Sequence, residues 1–161
     1  MRISLITISL GLILLFIFSC KKDKKTTTTT TAPLFCSLQM SSIVINDTVL
    51  FITKDTSYTT GNNTFYTEHK LSDTRGCSFD FEGTQAPVQG KYVITSNFTE
   101  VLPGSKKVYI QYFLNGTSFQ AQSGEVSVTG AGTAAIVEFC KISFQNSFND
   151  NFTISFKSDM Q

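Results

Sequence analysis

The chain has 161 residues, 41% of them hydrophobic, 16% charged, and a formal net charge of +1. The charged share lies well below the usual quarter. From Leu34 onward eleven acidic residues face eight basic ones, which excludes the basic face that nucleic-acid binding requires.

The N-terminus reads as an export signal. Arg2 gives a short basic start, Ile3 to Phe18 is an unbroken apolar and small-polar run, and Ser19 sets a small residue before Cys20. That order is a basic n-region, an apolar h-region and a small residue at the cut. A membrane span needs about 20 apolar residues, and this run stops short of that at Ser-Cys. The expected signal peptide is 1–19. Cys20 to Pro33 holds four lysines, one aspartate and the six-residue run Thr26 to Thr31. With no apolar periodicity it reads as a tether, reaching at most on the order of 45 Å at ~3.3 Å per extended residue.

Ile17-Phe18-Ser19-Cys20 resembles a bacterial lipobox. Ser-Cys followed by Lys21, Lys22, Asp23, Lys24 and Lys25 resembles the mature start of small Bacteroidota-type bacterial lipoproteins of unknown function. The resemblance implies that Cys20 carries acyl chains such as palmitate and that the mature protein is anchored in the outer membrane, on its periplasmic or its surface face. More than one chain, or a chain with a basic patch, gives stable anchoring, and the lysines suit anionic head groups. The Thr run suits O-glycans, and Asp47-Thr48-Val49 resembles the O-glycosylation pattern of the same bacterial group.

From Leu34 to Gln161 the period is two, and the length suits one domain with one core. Leu34, Cys36, Leu38 and Met40 alternate with other residues as in a strand. Ile43 to Ile45, a turn at Asn46-Asp47, and Val49 to Ile52 read as a hairpin. Ser57 to Thr64 reads as a polar loop turning at Gly61-Asn62, and Thr64 to Lys70 as a strand. Cys77, Phe79 and Phe81 alternate with Ser78, Asp80 and Glu82, a half-buried strand. Lys91 to Thr95 is a short strand. Val108 to Leu114 meets Asn115-Gly116 and continues beyond it, which predicts a type I′ hairpin turn. Glu125 to Thr129 and Thr133 to Phe144 form a further hairpin, and Phe152, Ile154 and Phe156 mark a closing strand. Eight to ten short strands with no helical period predict an all-β fold, an antiparallel β-sandwich or, alternatively, a barrel-like one. The run from Gly90 to Phe144 also resembles, in pattern, domains of the same lipoproteins, which implies an all-β fold.

Few residues offer chemistry. Cys36, Cys77 and Cys140 fall in phase with apolar strand faces, and an exported chain permits one disulfide among them; spacing does not choose the pair. A catalytic thiol needs a base, and His69 is the only histidine. Asp80 and Glu82 share a strand face about 6.5–7 Å apart, a separation that would suit an inverting glycosidase, but an ordinary solvated strand face accounts for the pair. Asn149, Asp150 and Asn151 offer oxygens for Ca²⁺, but turn chemistry explains them as well. The expectation is therefore no catalytic residues, no metal and no cofactor. Tyr58, Phe65, Tyr66, Phe98 and Phe148 lie in or beside predicted loops, where aromatics stack on sugars or grip a protein. These readings predict a lipid-anchored, non-enzymatic module that binds a carbohydrate or an envelope protein through its loops. Two alternatives remain: an envelope structural or assembly protein without a small ligand, and a glycan hydrolase using Asp80 and Glu82.

Overall fold

The computed structural model describes residues 36–160. The expected signal at 1–19, Cys20, the tether to Pro33 and the alternating position Leu34 lie outside them. Eleven strands follow in order: β1 (Ser42–Ile45), β2 (Thr48–Phe51), β3 (Lys54–Thr59), β4 (Thr64–Ser72), β5 (Arg75–Glu82), β6 (Gly90–Thr95), β7 (Lys107–Leu114), β8 (Thr117–Ala121), β9 (Glu125–Thr129), β10 (Ile136–Gln145) and β11 (Asn151–Asp159). Among the described residues helix is limited to two 3₁₀ turns, Phe98–Glu100 and Gly132–Ala134. The protein is an all-β sandwich.

The strand path is β2-β1-β11-β10-β9-β6-β7-β5-β4-β3, with β8 pairing both β10 and β7. One layer is β2-β1-β11-β10 and the other β3-β4-β5-β7. Two bridges join them along one side. At one end β9 pairs Ile136 to Glu138 of β10, while β6 pairs Lys107 to Tyr109 of β7. At the other end β8 alone reaches Phe144 of β10 and Gln111 to Leu114 of β7. The ring closes on that side only, and β2 and β3 remain the ends of the path, so the sheet folds over as a sandwich.

Three expectations are corrected. The β6–β7 pair is parallel, so the sheet is mixed: residues 96–106 carry the chain back to the end from which β6 started, as a parallel pair requires. Residues 36–41 form no strand, because Ser37 and Ser41 take left-handed backbone at φ 50° and 55°, which breaks the alternation of Cys36, Leu38 and Met40. Strand Lys54–Thr59 takes in Ser57 to Thr59, where the sequence suggests a loop: its Thr and Ser side chains suit a pleated edge, and the turn tightens to residues 60–63. The Asn115-Gly116 turn has φ of 50° and 81°, the two positive values of the type I′ geometry.

Inward-facing aromatics hold the layers together. Phe79 of β5 meets Phe156 of β11 at 4.8 Å between ring centroids and Phe139 of β10 at 6.0 Å. Toward the β8 end Phe119 meets Phe152 at 4.6 Å, and Tyr112 meets Phe152 edge-on at 5.4 Å. Each such pair adds ~0.5–1.5 kcal/mol beyond the area it buries. Gly76 is the tight point: a Cβ there would lie 2.6 Å from both the His69 carbonyl oxygen and Phe113 Cζ.

Cys36 and Cys140 form a disulfide with Cα atoms 5.7 Å apart, and Cys77 is a free, buried cysteine. The expected inward phase holds for Cys77 alone. Cys140 follows the inward Phe139, sits on the outer side of β10, and is half-buried there with Cys36. An irregular bridgehead outside the sheet can reach Cys140, whereas Cys77 lies in the core.

Candidate functional site

Cross-strand register builds one row on the outer face of the β3-β4-β5-β7 layer. Tyr58 of β3 pairs Tyr66 of β4, Tyr66 pairs Asp80 of β5, and Asp80 pairs Tyr109 of β7. Even-numbered residues of β5 point outward because Cys77, Phe79 and Phe81 fill the core. Tyr58 and Tyr66 rings stand 4.8 Å apart, and Phe98 packs edge-on against Tyr109 at 5.6 Å. Tyr58, Tyr66 and Phe98 therefore converge on one face, with Tyr58 51% exposed. They belong to strands and a 3₁₀ turn and not to open loops. Phe65 departs from the expectation: its register with Phe81 turns it inward, against the core.

Asp80 sits in this row between two phenols. It is 9% exposed and accepts a hydrogen bond from Thr64 Oγ1 at 2.9 Å. Burial raises its carboxyl above the ordinary value, and the Thr64 bond only partly opposes this. Burial likewise pushes the Tyr66 hydroxyl up to about 12 and raises Tyr109, so both phenols are neutral near pH 7. Glu82 lies one outward position along. Its Oε2 accepts from the Lys106 backbone N–H at 2.8 Å and from Ser105 Oγ at 3.3 Å. Glu82 thus holds the turn that returns the chain to β7. The two carboxylates share a face, but one is buried under a threonine hydroxyl and the other clamps backbone.

A second row lies beside the first. Thr56, Glu68, Ser78, Gln111, Gln120 and Gln145 are successive partners across β3, β4, β5, β7, β8 and β10. At its far end Gln111, Gln120, Gln122 and Gln145 line a concavity of ≈ 580 Å³ together with Ser118 and Phe148. Phe148 is 79% exposed. Its loop is folded by Asn146, whose Oδ1 accepts from the backbone N–H groups of Phe148 and Asp150, each at 2.9 Å. The Asn146 amide also donates to Asp150 Oδ2 at 2.9 Å. Of the oxygens considered for Ca²⁺, Asp150 Oδ2 and Asn149 Oδ1 thus accept from the Asn146 and Gln145 amides, in an Asx-folded turn whose tip carries an aromatic ring.

The interior holds an arrangement that the sequence did not disclose. Asp55 of β3 takes His69 Nδ1 at 2.6 Å, and His69 Nε2 meets Thr67 Oγ1 at 3.2 Å. Ser57 Oγ donates to Thr67 Oγ1 at 3.0 Å, which leaves the Thr67 hydrogen for Nε2. Carboxylate, imidazole and hydroxyl stand in the order of a hydroxyl-nucleophile triad. Yet Thr67 and His69 are both 0% exposed, so a substrate carbonyl has no approach. The relay ties edge strand β3 to β4. His69 is also the register partner of Cys77, whose thiol burial pushes far up, the opposite of thiolate activation.

Among the described residues, one trio brings potential metal ligands within 4.8 Å of one another: Cys36, Glu138 and Cys140. Its two sulfurs are bonded to each other, so neither is a thiolate. Sequence reasoning missed Tyr109 and the glutamines. The signal lay in the positions out of phase with the core, read across strands. No protein-family model matches the chain, and no curated protein and no solved structure matches it.

Proposed function

We propose that this chain is an exported lipoprotein, acylated at Cys20 and anchored in the outer membrane, whose β-sandwich is a non-enzymatic binding module. The observation that carries the binding role is the convergence of Tyr58, Tyr66, Tyr109 and Phe98 on one outer face. A sandwich core needs no aromatic ridge on its solvent side; flat rings there suit stacking against a sugar or a partner's apolar surface. The non-enzymatic reading draws on the engagement of Asp80 by Thr64 and of Glu82 by the 105–106 backbone. The N-terminal reading draws on the basic start, the apolar run and Ser19-Cys20.

Intact-mass measurement and membrane fractionation test the anchor. The native protein is expected to begin at Cys20 with acyl chains attached and to sediment with membranes. The Cys20→Ala variant is expected to lose the acyl mass. A mature protein that keeps Met1 to Ser19 and bears no lipid would refute the anchor. For the binding role, Tyr58→Ala should weaken retention of carbohydrate or envelope-protein ligands. Unchanged hydrolysis of every glycan tested in an Asp80→Ala, Glu82→Ala double variant would argue against a hydrolase.

A further inference from the structure

The concavity under Phe148 has a chemistry of its own. Its polar lining is amide and hydroxyl: Gln111, Gln120, Gln122, Gln145 and Ser118 are among the residues, and among the described residues no charged side chain takes part. The amides are oriented. Gln122 Nε2 donates to the Gln120 carbonyl at 2.9 Å, and Gln120 Nε2 donates to the Ser96 carbonyl. Because both acceptors are backbone carbonyls, the nitrogen must face them, and the two side-chain oxygens are left as fixed acceptors. Gln145 Nε2 is held in turn by Asn149 Oδ1 at 3.2 Å. Preoriented carbonyl oxygens at an uncharged surface, with an aromatic ring at the rim, match a ligand rich in neutral hydroxyl donors with a flat C–H face.

From this arrangement we infer that the concavity is a subsite for a neutral glycan, with Phe148 stacking on a sugar ring and Gln120 and Gln122 accepting from its hydroxyls. The inference rests on the binding-module reading and deepens it by naming the ligand class and a second location. An acidic glycan finds no cation in the lining. A peptide would need pockets for its side chains, and the lining offers amides in their place. The glutamine row continues to β3 as Ser78, Glu68 and Thr56. Five strand spacings of ~4.8 Å make that row about 24 Å measured along the sheet, turning from β10 through β8 onto the layer that carries Tyr58, which favours a linear glycan over a single sugar.

The test uses the purified full chain in detergent, with three neutral polysaccharides as probes: an α-glucan, a β-glucan and a mannan. Polygalacturonate serves as the acidic probe and an extended peptide library as the peptide probe. Affinity electrophoresis and calorimetry read the binding. One neutral polysaccharide should bind, and Phe148→Ala and Gln120→Ala should each weaken it roughly five- to tenfold, as loss of one stacking or hydrogen-bond contact predicts. Phe148 is at a loop tip, so its variant keeps the fold, which circular dichroism checks. Neutral-glycan binding that ignores Phe148→Ala and Gln120→Ala but falls with Tyr58→Ala overturns the subsite and keeps the binding module. Peptide or polygalacturonate binding that requires Phe148 overturns the ligand class and keeps the module. No binding by any probe overturns the subsite and leaves the module to stand on an envelope-protein ligand alone.

Discussion

Removing the Cys36–Cys140 bridge should cost this domain a large part of its stability. The bonded residues are 104 apart in sequence, so the bridge closes a loop spanning most of the domain. For a loop of that size the chain-entropy relation gives about 4.7 kcal/mol at 25 °C. A discount follows from the fold. Cys36 belongs to an irregular segment ahead of β1, and cutting the bridge frees that segment in the native state as well, which offsets some of the entropy regained on unfolding. The net cost should be about 3–4 kcal/mol, within the ~2–5 kcal/mol usual for native bridges. At roughly 4 °C per kcal/mol for a domain of this size, the midpoint should fall by on the order of 12–16 °C. The assay is equilibrium urea unfolding of wild type against the Cys36→Ser, Cys140→Ser double variant, with the m-value watched for any change in the denatured state. Thiol counting completes it. The 0%-exposed Cys77 should react only after unfolding. A second thiol under non-reducing conditions would have to come from an unacylated Cys20. A stability change below ~1 kcal/mol, or a peptide map that pairs Cys77, would refute the reasoning.

Asp80 and the interior relay give two further expectations. The Asp80 carboxyl is raised in the folded state by burial, so its contribution to stability is fully present below the unfolded value of about 3.8 and is lost as pH rises through the folded value. Asp80→Asn, which can still accept from Thr64, should therefore be more stable than wild type at pH 7, and the gap should close toward pH 3; an unchanged gap in urea titrations across that range would contradict the assignment. Asp55→Ala strips a buried imidazole nitrogen of its partner and should cost about 1–3 kcal/mol, while Asp55→Asn should recover more than half of that. Equal losses in thermal unfolding of the two variants would mean that the carboxylate charge, and not a hydrogen bond that Asn can also accept from His69, holds β3 in place.

The periodicity of two located ten of the eleven strands, and Asn115-Gly116 announced its turn, because those features are local. β3 escaped because an edge strand has no buried face to write an apolar alternation. Its inward positions, Asp55 and Ser57, are polar and are satisfied by His69 and Thr67 on β4, so the pattern resembled a loop. The parallel β6–β7 pair escaped because strand direction is set by the path of a connection. Choosing Cys36 and Cys140 as the bridge required knowing that β10 turns position 140 outward. The candidate site was half legible for the same reason. Individual aromatics stood out, but Tyr109 became their neighbour only through register with Asp80, and three glutamines formed a lining only when β7, β8 and β10 came together.

The disulfide and the aromatic row lie on opposite layers of the sandwich. Ile43 of β1 and Phe156 of β11 face the core, so Val44 and Ser155 face outward, and with them Cys36 and Cys140 line a concavity of ≈ 590 Å³. The chain thus enters the domain on the outer side of the β2-β1-β11-β10 layer and is bonded there. The Tyr58-Tyr66-Tyr109 row lies on the outer side of the opposite layer. On the anchored reading, tension along a tether enters at Cys36 and passes through the disulfide into β10, a central strand paired with β11, β9 and β8. It does not peel β1 from the edge of the sheet. The aromatic row is then left facing away from the attachment point.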